Sequence, residues 1–356
     1  MSTPAPTFDP GLVAMIRGCA LAARLTRFVQ ASPAGPERIV KPDFSPVTIA
    51  DLCGQALINR EMARSLGATA LVNIAEESSE ILALPEHAPA LRRAVDVLRA
   101  SGTWPDATPD ELLGWIDHGA VPAQRLDEGH EPAAFFTADP IDGTRGFIAR
   151  RQYSVCAARI EAHQPVYSVV SCPALSARFE DGFDATGGAG TMYFAQAGRG
   201  TWMLPDAAGT LETHACVRVQ RPAIDADHPP SITFSVEPSE RRVEKFERLQ
   251  RELGQTRAPA QLDSQAKYAV VARGQADVYF RPPRGKDRDE NVWDHAPGIL
   301  LCREAGCVDS DLDGRALEFR GARVAGAKGV LSAPPAMHAR VLAALGRMRS
   351  EGGGRG

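Results

Sequence analysis

The amino-acid sequence predicts a mixed α/β (α+β) fold in two lobes, and three observations predict it. Apolar residues recur at helical spacing from Pro10 towards Gly119. Strand-like segments then follow one another from 135 to 220. Beyond Arg221-Pro222, strands and helices alternate. A chain of 356 residues exceeds one small core and is comfortable as two lobes. The expected boundary lies near 220, with an N-terminal α+β lobe over 1–220, a smaller C-terminal α/β lobe over 221–350, and a disordered tail over 351–356.

Leu12, Met15, Ile16, Cys19 and Ala23 place a first helix from Pro10 to Gln30. A second begins near Thr48, after the Ser45-Pro46 break, and runs to Gly67. "ALVNIA" (70–75) reads as a strand ending in Glu76-Glu77. "EHAPALRRAVDVLRASG" and "TPDELLGWIDHG" read as helices, the latter with Thr108 as N-cap and Glu111 three residues on. Five strand segments follow: "AAFFTA", "YSVCAARIE", "PVYSVVSCP", "TMYFAQAGRGTWML" and "HACVRVQ". In the C-terminal part, "SITFSV", "APAQL" and "ADVYF" alternate with the helical "SERRVEKFERLQREL", "SQAKYAVVARG" and "WDHAPGILLCREAG". Residues 1–9 are expected to be disordered.

With 40 basic and 44 acidic residues the formal charge is -4, which gives no electrostatic basis for a nucleic-acid or membrane partner. The seven cysteines are odd in number and lack CxxC or zinc-ligand spacing, as expected of reduced thiols in a cytoplasmic protein. Arg17, Arg24 and Arg27 interrupt the early apolar patches, so no signal-peptide core is expected, and no stretch is long enough to span a bilayer.

The chemistry-bearing residues are acids at the ends of apolar segments: Asp51, Glu76-Glu77, Asp139 with Asp142, and Asp294. Asp51 fits an exposed first-turn helix acid, Glu76-Glu77 a strand end, and Asp294 a helix cap. Asp139 and Asp142 resist such readings, because the apolar strand Phe135-Phe136-Thr137-Ala138 should not end in two uncompensated carboxylates unless a cation meets them. A hard divalent ion such as Mg²⁺ takes oxygen ligands, and the Ile141 carbonyl between the aspartates offers another. No Cys or His accompanies the cluster, which disfavours zinc. Gly143 and Thr144 supply a close backbone approach and a hydroxyl for phosphate oxygens. Cations beside such a donor nest point to metal-assisted phosphoryl transfer to water. Lys267 alone fits a solvated helix residue, His295 a helix start, and Trp293 core.

"ADPIDGTRGF", "IAEES" (74–78) and "VWDHAPG" (292–298) resemble the three motifs of the lithium-sensitive, magnesium-dependent phosphatases, the superfamily of inositol monophosphatases and fructose-1,6-bisphosphatases. "SPVTIAD" (45–51) and above all "QLDSQAKYAVVARGQADVYFRPP" (261–283) resemble its 3'(2'),5'-bisphosphate nucleotidase group. The resemblance runs from residue 11 to 333. It implies a layered α/β/α/β/α sandwich with the site between two lobes, and inhibition by lithium and by excess Mg²⁺ or Ca²⁺. The implied ligands for two or three Mg²⁺ ions are Glu76, Asp139, the Ile141 carbonyl, Asp142 and Asp294. Asp51 is implied as a partner in activating water, with Thr144 as its hydrogen-bonding companion, and Glu76 is the other option for the base. Gly143 and Thr144 would hold the scissile phosphate. Asp263, Ser264 and Lys267 would contact the nucleotide, Lys267 facing the retained phosphate, and Arg281 belongs to the same surface.

Two departures bear on the substrate. The group has a Ser-Ser-His element after the "SVE" strand, whereas this chain reads "SVEPSE", without the histidine and with the acidic Glu240. Asn291 stands where a basic residue precedes the Trp-Asp pair, and Lys286 and Arg288 are the nearby cations. The expected activity is removal of the 3'-phosphate from 3'-phosphoadenosine 5'-phosphate or its sulfated form, by a monomer or weak homodimer. The alternatives are a phosphatase of inositol phosphates or sugar bisphosphates, and a non-catalytic nucleotide sensor.

Overall fold

The computed structural model describes residues 6–32, 35, 38–40, 46–67, 71–121, 125–126, 131–183, 188–225, 227–254, 256–283 and 290–352. Ser45, Lys286, Arg288 and 353–356 lie outside them.

Two long helices open the chain, α1 (Pro10–Ala31) and α2 (Ile49–Leu66), with the strand pair β1 (Arg38–Val40) and β2 (Pro46–Thr48) between them. Asp9 caps α1, its side chain accepting from the Gly11 N–H. Phe8 packs edge-on against Phe194 and Trp202, so the stretch expected to be disordered is tied down at its end by an aromatic anchor. Helices α3 (Glu80–Ala83), α4 (Ala88–Ala100) and α5 (Pro109–Ile116) follow, and Thr108 caps α5 as expected.

The main sheet has six antiparallel strands in sequential order: β3 (Ala134–Asp142), β4 (Ser154–Glu161), β5 (Gln164–Cys172), β6 (Thr191–Gln196), β7 (Thr201–Leu204) and β8 (Val217–Arg218). The short helix α6 (Thr144–Ile148) links β3 to β4. "HACVRVQ" reduces to the two exposed residues of β8, which end the sheet. Of the strand expected over 70–75, residue 70 lies outside the described residues and 71–75 are instead extended chain beside β3. Its bonding is divided: Asn73 donates to Gly119 O and accepts from Val121 N on one side, while Phe136 N and Ile74 N make the bonds across to β3.

Both faces of the sheet are covered, so its strands read as continuous apolar runs. On β4, Val155 and Ala157 pack under α1 with Leu12, Met15 and Ile16. Cys156, Ala158 and Ile160 point the other way, against Tyr268, Val270 and Ile299. Those last residues belong to α8 (Ala266–Ala272) and α9 (Ala296–Glu304). Gly298 lets the two helices meet, since a Cβ there would lie 2.1 Å from the Tyr268 ring.

Beyond α8 and α9 lies a smaller sheet of β11 (Tyr279–Arg281), β16 (Val330–Ala333) and β13 (Val308–Ser310). Short pairs accompany it: β9 (Thr233–Phe234) with β10 (Ala260–Gln261), and β12 (Glu290–Asn291) with β15 (Arg323–Val324) and β14 (Phe319–Arg320). Helices α7 (Glu240–Leu253) and α10 (Pro335–Gly352) cover the far side, where Phe246, Leu249, Val341 and Leu345 bury against Ile232, Val278 and Leu331. The result is the expected five-layer α/β/α/β/α sandwich. The C-terminal helix continues through Gly352, two residues into the stretch expected as tail. Among the described residues, no helix is long and apolar enough to cross a membrane.

Candidate active site

Strand β3 delivers the first acids. Its pairing with β4 runs to Asp139 opposite Cys156, slips, and resumes at Asp142 opposite Ser154. Pro140 sits in the slip, where a residue without an N–H costs the ladder nothing. The irregularity re-aims the strand end so that both carboxylates serve one place. Glu76 arrives alongside, because its N–H donates to Ala138 O at 3.1 Å, and its carboxyl hydrogen-bonds that of Asp139. Asp294 comes from the turn before α9, with Pro297 in the first helical turn. Carboxylate oxygens of Asp139, Asp142 and Asp294 all lie within 4.8 Å of one another.

Such a cluster is costly by itself. Burial, and after it the charges of Glu76, Asp142 and Asp294, push the Asp139 carboxyl well above the usual range. Burial and Asp294 push Asp142 up to about 6, against the opposing pull of Lys267 and the Gln265 N–H. The buried Asp139 Oδ1 has no hydrogen-bond partner. An orphan carboxylate oxygen among four acids from three segments fits a hard divalent cation such as Mg²⁺. His295 adjoins the cluster with both ring nitrogens engaged, for its Nδ1 lies 2.7 Å from Tyr268 Oη and its Nε2 lies 3.2 Å from Glu290 Oε2, and a ligand atom of His295 also lies within 4.8 Å of ones from Glu290 and Asp294. It is a buried helix-start residue, as expected.

Gln265, which sequence reasoning passed over, ties the two acid-bearing turns together. Its backbone N–H donates to Asp142 Oδ2, its Nε2 to Trp293 O at 2.8 Å, and its Oε1 accepts from Gly298 N at 3.0 Å. Beside it, Ser264 adopts φ 66° and Gly143 φ 86°. A Cβ on Gly143 would come 2.9 Å from Ser264 Cβ, so the turn after Asp142 requires glycine twice over. Gly143→Ala is expected to cost about 1–2 kcal/mol and to displace Thr144; thermal melts and phosphate release measured together check this.

These groups border one cavity of about 300 Å³. Its lining includes the acids Glu76, Asp142, Glu237, Asp263 and Asp294, the turn residues Gly143, Thr144 and Ser264, and the cations Arg145, Arg151, Arg242, Lys267 and Arg281. Lys267 is buried, not a solvated helix residue, and burial pulls it down to about 8 despite Asp142. Arg281 is anchored by Glu290 at 3.1 Å and lies 3.9 Å from Asp294. Asn291 donates to Asp294 Oδ2 at 3.5 Å, in the place where a basic residue was expected.

Three expected site residues have other engagements. Asp51 is buried, not exposed: its Oδ2 accepts from Thr48 N at 2.8 Å and Thr48 Oγ1 at 2.6 Å in a capping box, and it does not line the cavity. Thr144 Oγ1 donates to the Ile141 carbonyl at 3.2 Å. Asp263 lines the cavity with its carboxylate held by Arg151 at 3.1 Å and by Val236 N at 3.4 Å.

The profile of the inositol monophosphatase family matches residues 116–349. The chain belongs to that family. Among family relatives, the 3'(2'),5'-bisphosphate nucleotidase of Schizosaccharomyces pombe is 32% identical over 318 residues, covering 88% of this chain and 87% of its own. The counterpart from Emericella nidulans is 33% identical over 325 residues, covering 86% and 89%. A probable 3'(2'),5'-bisphosphate nucleotidase 4 of Arabidopsis thaliana is 30% identical and covers 95% and 94%. Among solved structures, the fold matches the extragenic suppressor protein suhB of Bartonella henselae with a TM-score of 0.60 at 17% identity, over 93% of this chain and 96% of that one. It matches CysQ of Bacteroides thetaiotaomicron, a bacterial family member, at 0.58 and 18% identity, over 92% and 98%.

Proposed function

We propose that this family member is a Mg²⁺-dependent phosphomonoesterase that removes the 3'-phosphate of 3'-phosphoadenosine 5'-phosphate, and of its sulfated form, giving AMP or adenosine 5'-phosphosulfate and inorganic phosphate. The observation that carries the proposal is one cavity lined by two kinds of group. An acid cluster needs cations, which in turn attract a phosphate, and beside it Lys267 and Arg281, the latter 3.9 Å from Asp294, would take a second phosphate. The names of the relatives point to the same substrate class.

Glu76, Asp139, Asp142, Asp294 and the Ile141 carbonyl would hold two or three ions, which would neutralise phosphoryl charge and make water more acidic. Gly143 and Thr144 would orient the scissile phosphate, using backbone N–H groups that a side chain at 143 would push away. Glu76 would take the proton of the attacking water from the cavity wall, whereas Asp51, the other expected base, has its carboxylate fixed by Thr48 and does not line the cavity. Lys267, Ser264, Asp263 and Arg281 would position the nucleoside and its remaining phosphate, the last through a guanidinium already oriented by Glu290. The seven free thiols, six of them buried, fit a reducing cytoplasm, where the chain would act as a monomer or weak homodimer.

A phosphate-release panel over adenosine 3',5'-bisphosphate, inositol 1-phosphate and fructose 1,6-bisphosphate tests the proposal. The bisphosphonucleotide is expected to give the highest kcat/KM. Equal or faster turnover of inositol 1-phosphate would sink it, and tight nucleotide binding without any phosphate release would make the chain a sensor.

A further inference from the structure

We propose that Arg242 is the specificity residue for the phosphate that stays on the nucleoside, an inference that rests on the bisphosphonucleotide proposal above. Helix α7 buries Phe246, Leu249 and Leu253, a stripe at helical spacing. One step of four back from Phe246 reaches Arg242, so its guanidinium continues the inward stripe by a turn and arrives at the cavity wall. Glu240 stands two residues earlier on another face, is exposed, and lines no part of the cavity. The acid that looked set to repel phosphate is therefore out of reach, Glu237 of the same segment lines the larger cavity but is paired with Arg151 at 2.8 Å, and an arginine of that segment faces the site.

A smaller cavity abuts the first and shares Ser235, Arg242, Lys267, Tyr279 and Arg281 with it. Its remaining lining is apolar or hydroxylic, with no carboxylate. Three cations thus converge from three separate segments: the first turn of α7, α8 and β11. Burial, and less strongly Arg281 and Arg242, act against the charge of Lys267, while Asp142 and Asp263 favour it. A dianion placed among the three cations relieves their repulsion, and a guanidinium can grip phosphate with two parallel N–H groups. This supplies by a permanently charged side chain the anion contact that "SVEPSE", lacking a histidine, does not offer.

Adenosine 5'-monophosphate carries only the retained phosphate, and adenosine 3'-monophosphate only the scissile one. With the Mg²⁺-loaded protein, Arg242→Ala is expected to weaken adenosine 5'-monophosphate binding, read by calorimetry, about 10- to 100-fold. The kcat/KM ratio of adenosine 3',5'-bisphosphate over adenosine 3'-monophosphate should fall by a similar factor. Arg242→Lys should recover part of both, and Glu240→Gln should keep the parent values. If the parent turns over the bisphosphate and Arg242→Ala retains its affinity and ratio, the inference fails and the functional proposal stands. A parent that releases no phosphate from the bisphosphate overturns both.

Discussion

Asp142→Asn is expected to lose about 10³-fold or more in kcat while remaining folded. Asparagine has the same shape, and its amide oxygen can still accept the Gln265 N–H that now meets Asp142 Oδ2. The clamp through Trp293 O and Gly298 N is made by the Gln265 side chain and does not involve residue 142. What disappears is one negative charge among acids within 4.8 Å of one another. At pH 7 that charge is largely present, because burial and Asp294 raise the carboxyl only to about 6. Far-UV circular dichroism and a thermal melt establish folding, and phosphate release at saturating Mg²⁺ measures the loss. Near-normal turnover would refute the assigned metal role.

How much of this was legible in the sequence depended on whether the signal was local. Asp139 and Asp142 stood out because an apolar strand ending in two carboxylates is unstable without a counter-ion, and the strand is indeed buried along its length. Glu76 and Asp294 could be named as segment ends, yet only the bond from Glu76 N to Ala138 O and the turn before α9 bring them to the same point. The helix start near Thr48 was visible and Asp51 was read as an exposed first-turn acid, whereas its burial and its capping box with Thr48 emerge only from the packed structure. Gln265 carried no local mark, since its role lies in three bonds to residues distant in sequence. Arg242 was concealed among the charges of "SERRVEKFERLQREL" until the phase of that helix was known. Strands of two residues, such as β8, β12, β14 and β15, are too short to carry a period.

Asp139→Asn is expected to stabilise the metal-free protein, on the order of 1–3 kcal/mol, while abolishing activity. The parent's Asp139 is buried beside Glu76, Asp142 and Asp294, which oppose its ionisation, and its Oδ1 has no partner, so ionising it costs stability until a cation arrives. The sign of the pH dependence follows. A carboxyl whose folded value is raised binds more protons in the folded state, so stability is fully present below the unfolded value of about 4 and falls as pH rises through the folded value. For Asp142 that loss is complete above about 6, and for Asp139, raised well above the ordinary range, it continues further. Metal-free parent protein should therefore melt progressively lower from pH 5 to pH 8, and Asp139→Asn should reduce the decline. Mg²⁺ should reverse the order, raising the parent's melting temperature by ligation while raising that of the variant much less. Melts in chelator and in Mg²⁺, across that pH range, read all of these effects together. A variant that melts below the parent in chelator, or gains as much as the parent from Mg²⁺, would remove Asp139 from the metal site and leave its burial unexplained.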